Sequence, residues 1–309
     1  MPTPWETLFN IQRFAANGFA VIAADYIGKG LLREGRGEAY VVKGATTQTC
    51  VDILNAGLAA LEDLGLTPAK LFLHGWSQGA LNTLWLHQAL RSYGIDIEAT
   101  AVASPFSDLD QAWQSWSGKV IFPLPESLES YPPLAAWIAP CMIVALGSYE
   151  MYYNLSGLME TAVRPQYREL AERNWQDYNI SAIDPSNSPN STNLLADSFW
   201  KGYTNDHISA LQRQLIINAA IDWEYDSSIR FYYGLADEAV HPAMVTRTVA
   251  ARAGMPLESR SPGLPTGRHF LPGCMAAEHR LTAPITCCRG FRAKLSRALA
   301  ELDRRIDRY

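Results

Sequence analysis

Ser77 stands at the centre of Gly75-Trp76-Ser77-Gln78-Gly79, with a glycine two positions away on either side. A serine placed this way suits nucleophilic attack from a tight backbone turn, because a strained turn needs small neighbours on both flanks. A hydroxyl is a poor nucleophile until a base removes its proton, so the chain must also supply a histidine and a carboxylate to orient it. Six histidines compete for the first role: His74, His87, His207, His241, His269 and His279. Three fixed positions also arise by composition alone, so the pattern counts only with its surroundings.

Those surroundings have the order that the chemistry needs. "AKLFLHG" at 69–75 is a β-rich apolar run that predicts a strand. After the serine, Leu81, Leu84, Trp85 and Leu90 fall at helical spacing, with Gly94 as the stop. Strand, turn and helix together put Ser77 at a helix N-terminus, where free N–H groups and the dipole favour developing negative charge. His74 then lies on the strand and His87 well up the helix, and both read as structural.

The acid should follow a strand and precede the histidine. "SIRFYYG" at 228–234 predicts that strand, and Asp237 comes three residues beyond its closing glycine. Glu238 is the adjacent alternative, while Asp222 and Asp226 come before the strand. His269 lies 32 residues after Asp237 in the glycine-flanked loop "GRHFLPG", and is chosen as the base. His279, ten residues further on in "AAEHRL", reads as a helical surface residue and is kept as the alternative. His241 is too close in sequence to Asp237 to reach the far side of such an arrangement.

The rest of the chain must position these groups. Residues 5–16 have a helical apolar pattern ending at Asn17-Gly18; "FAVIAAD" at 19–25 predicts a strand buried on both faces, followed by the loop "YIGKG". A helix is expected over 45–64 and a strand over 97–105. Strand and helix alternate, which predicts βα units and a mostly parallel sheet, hence an α/β fold. From Phe106 to about Tyr225 the alternation fails: this stretch reads as mostly helical and holds six of the nine tryptophans. Sheet patterning resumes at 228, with a helix from about 243 to 253, a weaker strand around 256–261 and a terminal amphipathic helix. The reading is therefore a core over 1–105, a helical aromatic-rich cap over 106–226, and the rest of the core over 227–309.

Composition narrows the function classes. With 309 residues and 48% hydrophobic content the chain is long enough for a substantial core. A net charge of −5 gives no reason to expect nucleic acid or an acidic membrane surface. Every apolar run is short or interrupted, so no integral membrane segment is expected. The opening residues do not read as a secretory signal, which implies a cytoplasmic protein if that start is genuine and a secreted one if it is truncated. Five cysteines lack zinc-ligand spacing and read as reduced thiols. There is no metal cluster, phosphate loop or dinucleotide fingerprint, so neither metal nor cofactor is expected.

"FAANGFAVIAADYIGKG", "LFLHGWSQGALNTLWLHQAL" and "IRFYYGLADEAVHP" resemble the α/β-hydrolase superfamily. Within it they look most like secretory-lipase and esterase relatives that carry a helical insertion before the acid-bearing strand. The resemblance implies Ser77 as nucleophile, Asp237 as acid, His269 as base and the N–H of Gln78 as one oxyanion-hole donor. It implies hydrolysis of a small-molecule carboxylic ester, with the aromatic cap favouring an apolar group, and no cofactor. In this family three strands and an oxyanion loop precede the helix at 5–16, where this chain has four residues, and 19–25 corresponds to the family's fourth strand. The shortened front motivates a third reading, an inactive hydrolase-like binding protein, beside a serine peptidase or amidase of the same fold.

Overall fold

Three short parallel strands carry the candidate residues, in the order β1 (Phe72–Trp76), β2 (Ala99–Ala103), β3 (Ser228–Tyr232). The computed structural model describes residues 5–29, 37–126, 128–177, 189–201, 206–221 and 227–253. His269, His279, Asp222, Asp226, the strand expected around 256–261 and the terminal helix lie outside the described residues. The register pairs Phe72 with Ala99 and Trp76 with Ala103, then Ala99 with Ser228 and Ala103 with Tyr232. All three C-terminal ends therefore lie on one edge, the edge where open parallel sheets hold their ligands.

Helices follow the apolar spacing of the sequence. α1 is Trp5–Ala15, α2 Lys43–Asp63 and α3 Gln78–Ser92. α3 buries Leu81, Leu84, Trp85 and Leu90, the residues whose spacing predicts its inward face. It packs on both β1 and β2. Between β2 and β3 come α4 (Leu109–Trp116), α5 (Ile138–Tyr152), α6 (Leu158–Ala162), a 3₁₀ turn, α7 (Arg168–Asp177), α8 (Ser191–Leu194), α9 (Asp197–Lys201) and α10 (Asp206–Asn218), and α11 (Pro242–Ala253) follows β3. The Asp108 carboxylate accepts the Gln111 N–H at 3.1 Å and caps the start of α4.

α5 is apolar on almost every face and correspondingly buried, from Ile138 through Tyr149 apart from Cys141. Its core is continuous with that of the sheet: Leu81, Leu84, Trp85 and Val102 share one hydrophobic cluster with Trp113, Met142, Ile143, Leu211 and Leu215.

One expected strand is not formed. Residues 19–25 make no ladder, and none of them is buried. They run beside α2 and β1, with Phe19 edge-on to Phe72 at 5.7 Å and Ile22 packed on the cluster around Val51, Leu54 and Leu73. An apolar run has the propensity for a strand, but a strand exists only where a neighbour completes its hydrogen bonds. Among the described residues β1 pairs with β2 alone.

Candidate active site

Ser77 joins β1 to α3 with φ 54° and ψ −119°, in the left-handed half of backbone space that residues with a β-carbon rarely enter. Such a conformation persists where its surroundings over-determine it. The Ser77 N–H donates to the Ala103 carbonyl at 2.9 Å, fixing the turn to the end of β2. The two flanking glycines have different reasons. A β-carbon on Gly75 would lie 2.1 Å from the Gly79 carbonyl oxygen, so only glycine fits there. A β-carbon on Gly79 would meet nothing nearer than the Tyr26 hydroxyl at 3.7 Å, an ordinary contact.

Gln78 opens α3, so its N–H belongs to the first helical turn, whose donors have no partner within the helix. Its side chain is tied to an ion pair whose carboxylate is buried. Gln78 Nε2 donates to Glu38 Oε1 at 3.1 Å, and Lys29 Nζ donates to Gln78 Oε1 at 3.3 Å. Lys29 Nζ also lies 3.1 Å from Glu38 Oε1. Burial raises the Glu38 carboxyl above the usual range, opposed by the Lys29 charge and the Gln78 amide. Gly28, at φ 78°, lets the two backbones meet, since a β-carbon there would lie 2.5 Å from Glu38 Cα.

Asp237 follows β3 and is 2% exposed. Its Oδ1 accepts the N–H groups of Ala239 (3.0 Å) and Val240 (2.9 Å), while Oδ2 accepts Ser104 Oγ–H at 2.7 Å. The Tyr131 hydroxyl donates to the Asp237 carbonyl at 2.6 Å. Ser104, at φ 48°, ends β2, and its N–H donates to Tyr232 of β3 at 2.8 Å. β2 therefore stands between the strand that leads to Ser77 and the strand that leads to Asp237. Two strand spacings, about 9–10 Å of backbone separation, leave room for an imidazole between the side chains.

The described histidines have other work. His87 is fully buried and bonded at both ring nitrogens, Nδ1 to Thr100 Oγ1 at 2.9 Å and Nε2 to Ser227 Oγ at 3.2 Å. His74 packs against Phe14, and His207 lies beside Thr161. His241 is held between the rings of Phe122 (4.7 Å) and Tyr131 (4.5 Å). Its Nδ1 accepts the Ala243 N–H at 3.1 Å, capping α11. Burial lowers its pKa to about 4, against opposing pulls from Asp237 and the Pro123 carbonyl.

The structure thus brings Ser77 and Gln78 onto one edge with Asp237. Sequence reasoning missed Ser104, Lys29 and Glu38. Ser104 had a signal: it is the polar residue closing the strand between nucleophile and acid. Glu38 had none, because its role depends on a loop approach that only folding creates. Among the described residues no group of three histidine, cysteine or acidic side chains is placed to hold a metal, and no helix is long and apolar enough to cross a membrane.

A parallel sheet with a serine on the strand-to-helix turn and an aspartate beyond a later strand is the arrangement of the α/β-hydrolase fold, and this chain has that fold. Residues 3–128 match the family model of the secretory lipases. A putative hydrolase from Legionella pneumophila has a similar structure, with TM-score 0.61 and 14% identity over 92% of this chain and 70% of that one. The rice cell wall degrading esterase LipA from Xanthomonas oryzae, in a ligand-bound form, follows at 0.58 and 14%, over 90% and 69%. Candida antarctica lipase A is similar at 0.51 and 12%, over 85% and 64%. At such identities the likeness is one of fold. Among curated proteins, none matches the sequence.

Proposed function

We propose that the chain hydrolyses carboxylic esters through an acyl-enzyme on Ser77, with His269 as base and Asp237 as the acid that orients it. The observation that carries this reading is the strained Ser77 turn on the same sheet edge as the buried, triply bonded Asp237 carboxylate. Ser77 Oγ attacks the ester carbonyl as the imidazole takes its proton. The resulting oxyanion is stabilised by the Gln78 N–H and the positive end of α3. The protonated histidine gives its proton to the departing alcohol, and water activated by the same ring then releases the acid. Asp237 stays ionised throughout, held by its three donors. The residues between β2 and β3 form a cap, and their aromatic and aliphatic content favours an ester with an apolar group.

The test is a p-nitrophenyl ester series of increasing acyl length beside a p-nitroanilide, with Ser77→Ala and His269→Ala in parallel. Ester turnover lost in both variants supports the reading. Anilide cleavage exceeding ester cleavage would replace it with an amidase, and full turnover in Ser77→Ala would remove it.

A further inference from the structure

Lys29 and Glu38 form an ion pair in which the carboxylate is buried while Lys29 stays partly exposed, and the fold alone does not explain why a carboxylate is placed there. Glu38 is 1% exposed, and among the described residues its Oε2 has no hydrogen-bond partner while Oε1 takes both Lys29 and Gln78. A buried carboxylate with an unsatisfied oxygen is a poor way to gain stability; well-packed apolar residues of similar volume often serve as well or better. The pair bonds to the side chain of Gln78, whose backbone N–H is the donor closest in sequence to the nucleophile. Lys29 comes from the turn at 26–29, which also puts the Tyr26 hydroxyl near Gly79.

The strap that carries Glu38 is itself fixed from the opposite side by α5. Tyr152 Oη donates to the Gly37 carbonyl at 3.0 Å and Tyr149 Oη to the Val41 carbonyl at 3.0 Å. Ser148 Oγ donates to the Glu38 carbonyl at 2.6 Å and accepts the Tyr40 N–H at 3.1 Å. Within this strap Val41 has φ 52°, an unusual conformation for a β-branched residue. Backbone in that region needs surroundings that over-determine it, and three α5 side chains meet the strap there.

We propose that Lys29 and Glu38 are positioning residues that clamp the Gln78 side chain and thereby fix its N–H at the point where the oxyanion forms. This rests on the esterase reading above. The clamp grips both ends of the Gln78 amide: Glu38 takes its N–H₂ and Lys29 gives to its carbonyl. With the side chain held at two points, the first peptide of α3 loses the freedom to rotate away from the reacting carbonyl. Donors fixed before reaction are what make an oxyanion hole effective.

The experiment uses the full chain with three changes: the double variant Lys29→Met with Glu38→Leu, Glu38→Gln alone, and Gln78→Ala. The double variant removes both charges together and so leaves no unpaired buried ion. Gln78→Ala keeps the N–H and both charges of the ion pair but removes the amide that the clamp grips. kcat and KM for a p-nitrophenyl ester, the rate of phosphonate labelling at Ser77 and the thermal midpoint are measured on each. The expected result is a roughly 10- to 100-fold fall in kcat for the double variant and for Gln78→Ala, below the ~10²–10³ lost with a whole donor. KM should be little changed, and labelling should slow in the same ratio because the phosphonate oxygen occupies the same hole. A double variant with native kcat and labelling would overturn the proposal and leave the pair as packing. A raised KM at native kcat in Gln78→Ala would overturn it in favour of a substrate-binding role. A wild-type chain that neither turns over esters nor labels at Ser77 would sink the esterase reading and this proposal together.

Discussion

Ser104 Oγ lies 2.7 Å from Oδ2 of Asp237, a buried contact between the end of the middle strand and the candidate acid. The residue before Ser104 supplies the carbonyl that accepts the Ser77 N–H. The last residue of β2 and the residue after it therefore hold the Ser77 turn on one side and the Asp237 carboxylate on the other. Ser104→Ala should lower kcat by roughly 10- to 100-fold, the scale of one lost hydrogen bond to a charged group, about 1.5–3 kcal/mol. Ser104→Thr retains the hydroxyl and should recover part of the rate. A native rate in the alanine variant would show that the two backbone N–H groups alone hold Asp237.

The flanking glycines should respond unequally to the same substitution. Gly75→Ala drives a β-carbon against backbone, with the Gly79 oxygen at 2.1 Å and Thr83 Oγ1 at 2.4 Å. Overpacking of this kind costs about 1–3 kcal/mol or more. Gly79→Ala meets only the Tyr26 hydroxyl at 3.7 Å and should melt close to wild type. Thermal denaturation of both variants checks this, and equal losses would contradict the geometry.

His241 makes stability depend on pH in a defined window. Its folded pKa is lowered to about 4 from an ordinary 6.5, so between these values the unfolded chain binds the extra proton. Stability from this group is complete above the unfolded value and falls as pH drops through the window towards 4. His241→Asn keeps a capping acceptor for α11 but cannot titrate. The difference in thermal midpoint between wild type and His241→Asn should therefore narrow or reverse on going from pH 7 to pH 4.5. A constant difference across that range would rule out the titration.

The choice between the two remaining histidines is a prediction from sequence. His269→Ala should lose ester turnover nearly as fully as Ser77→Ala, and His279→Ala should retain it. Turnover measured on both decides, and the reverse pattern would move the base to His279.

Legibility followed locality. The strand, turn and helix around Ser77 were readable because each signal sits within a few residues of the next, and the same holds for Asp237 just past β3. "FAVIAAD" misled because composition reports a segment's taste for strand geometry, not whether a partner strand lies beside it. The Lys29–Glu38–Gln78 cluster was invisible for a related reason. Glu38 and Gln78 are 40 positions apart, and their meeting depends on a left-handed Gly28 and on bonds from α5. His241 was set aside for its sequence distance, whereas its geometry gives a positive reason: one ring nitrogen is committed to capping a helix.

The bonds from Ser148, Tyr149 and Tyr152 to the strap at 37–41 bear on how this fold diversifies. A helical insertion between two strands looks like an interchangeable part, a place where substrate preference is altered by swapping one piece for another. Here it is not detachable. Replacing α5 would remove the buttress from a segment more than a hundred residues earlier, and that segment holds the side chain of Gln78, the residue after Ser77. New substrate ranges on this scaffold must therefore arise from changes at the insertion's outer helices, or from grafts that take strap and helix together.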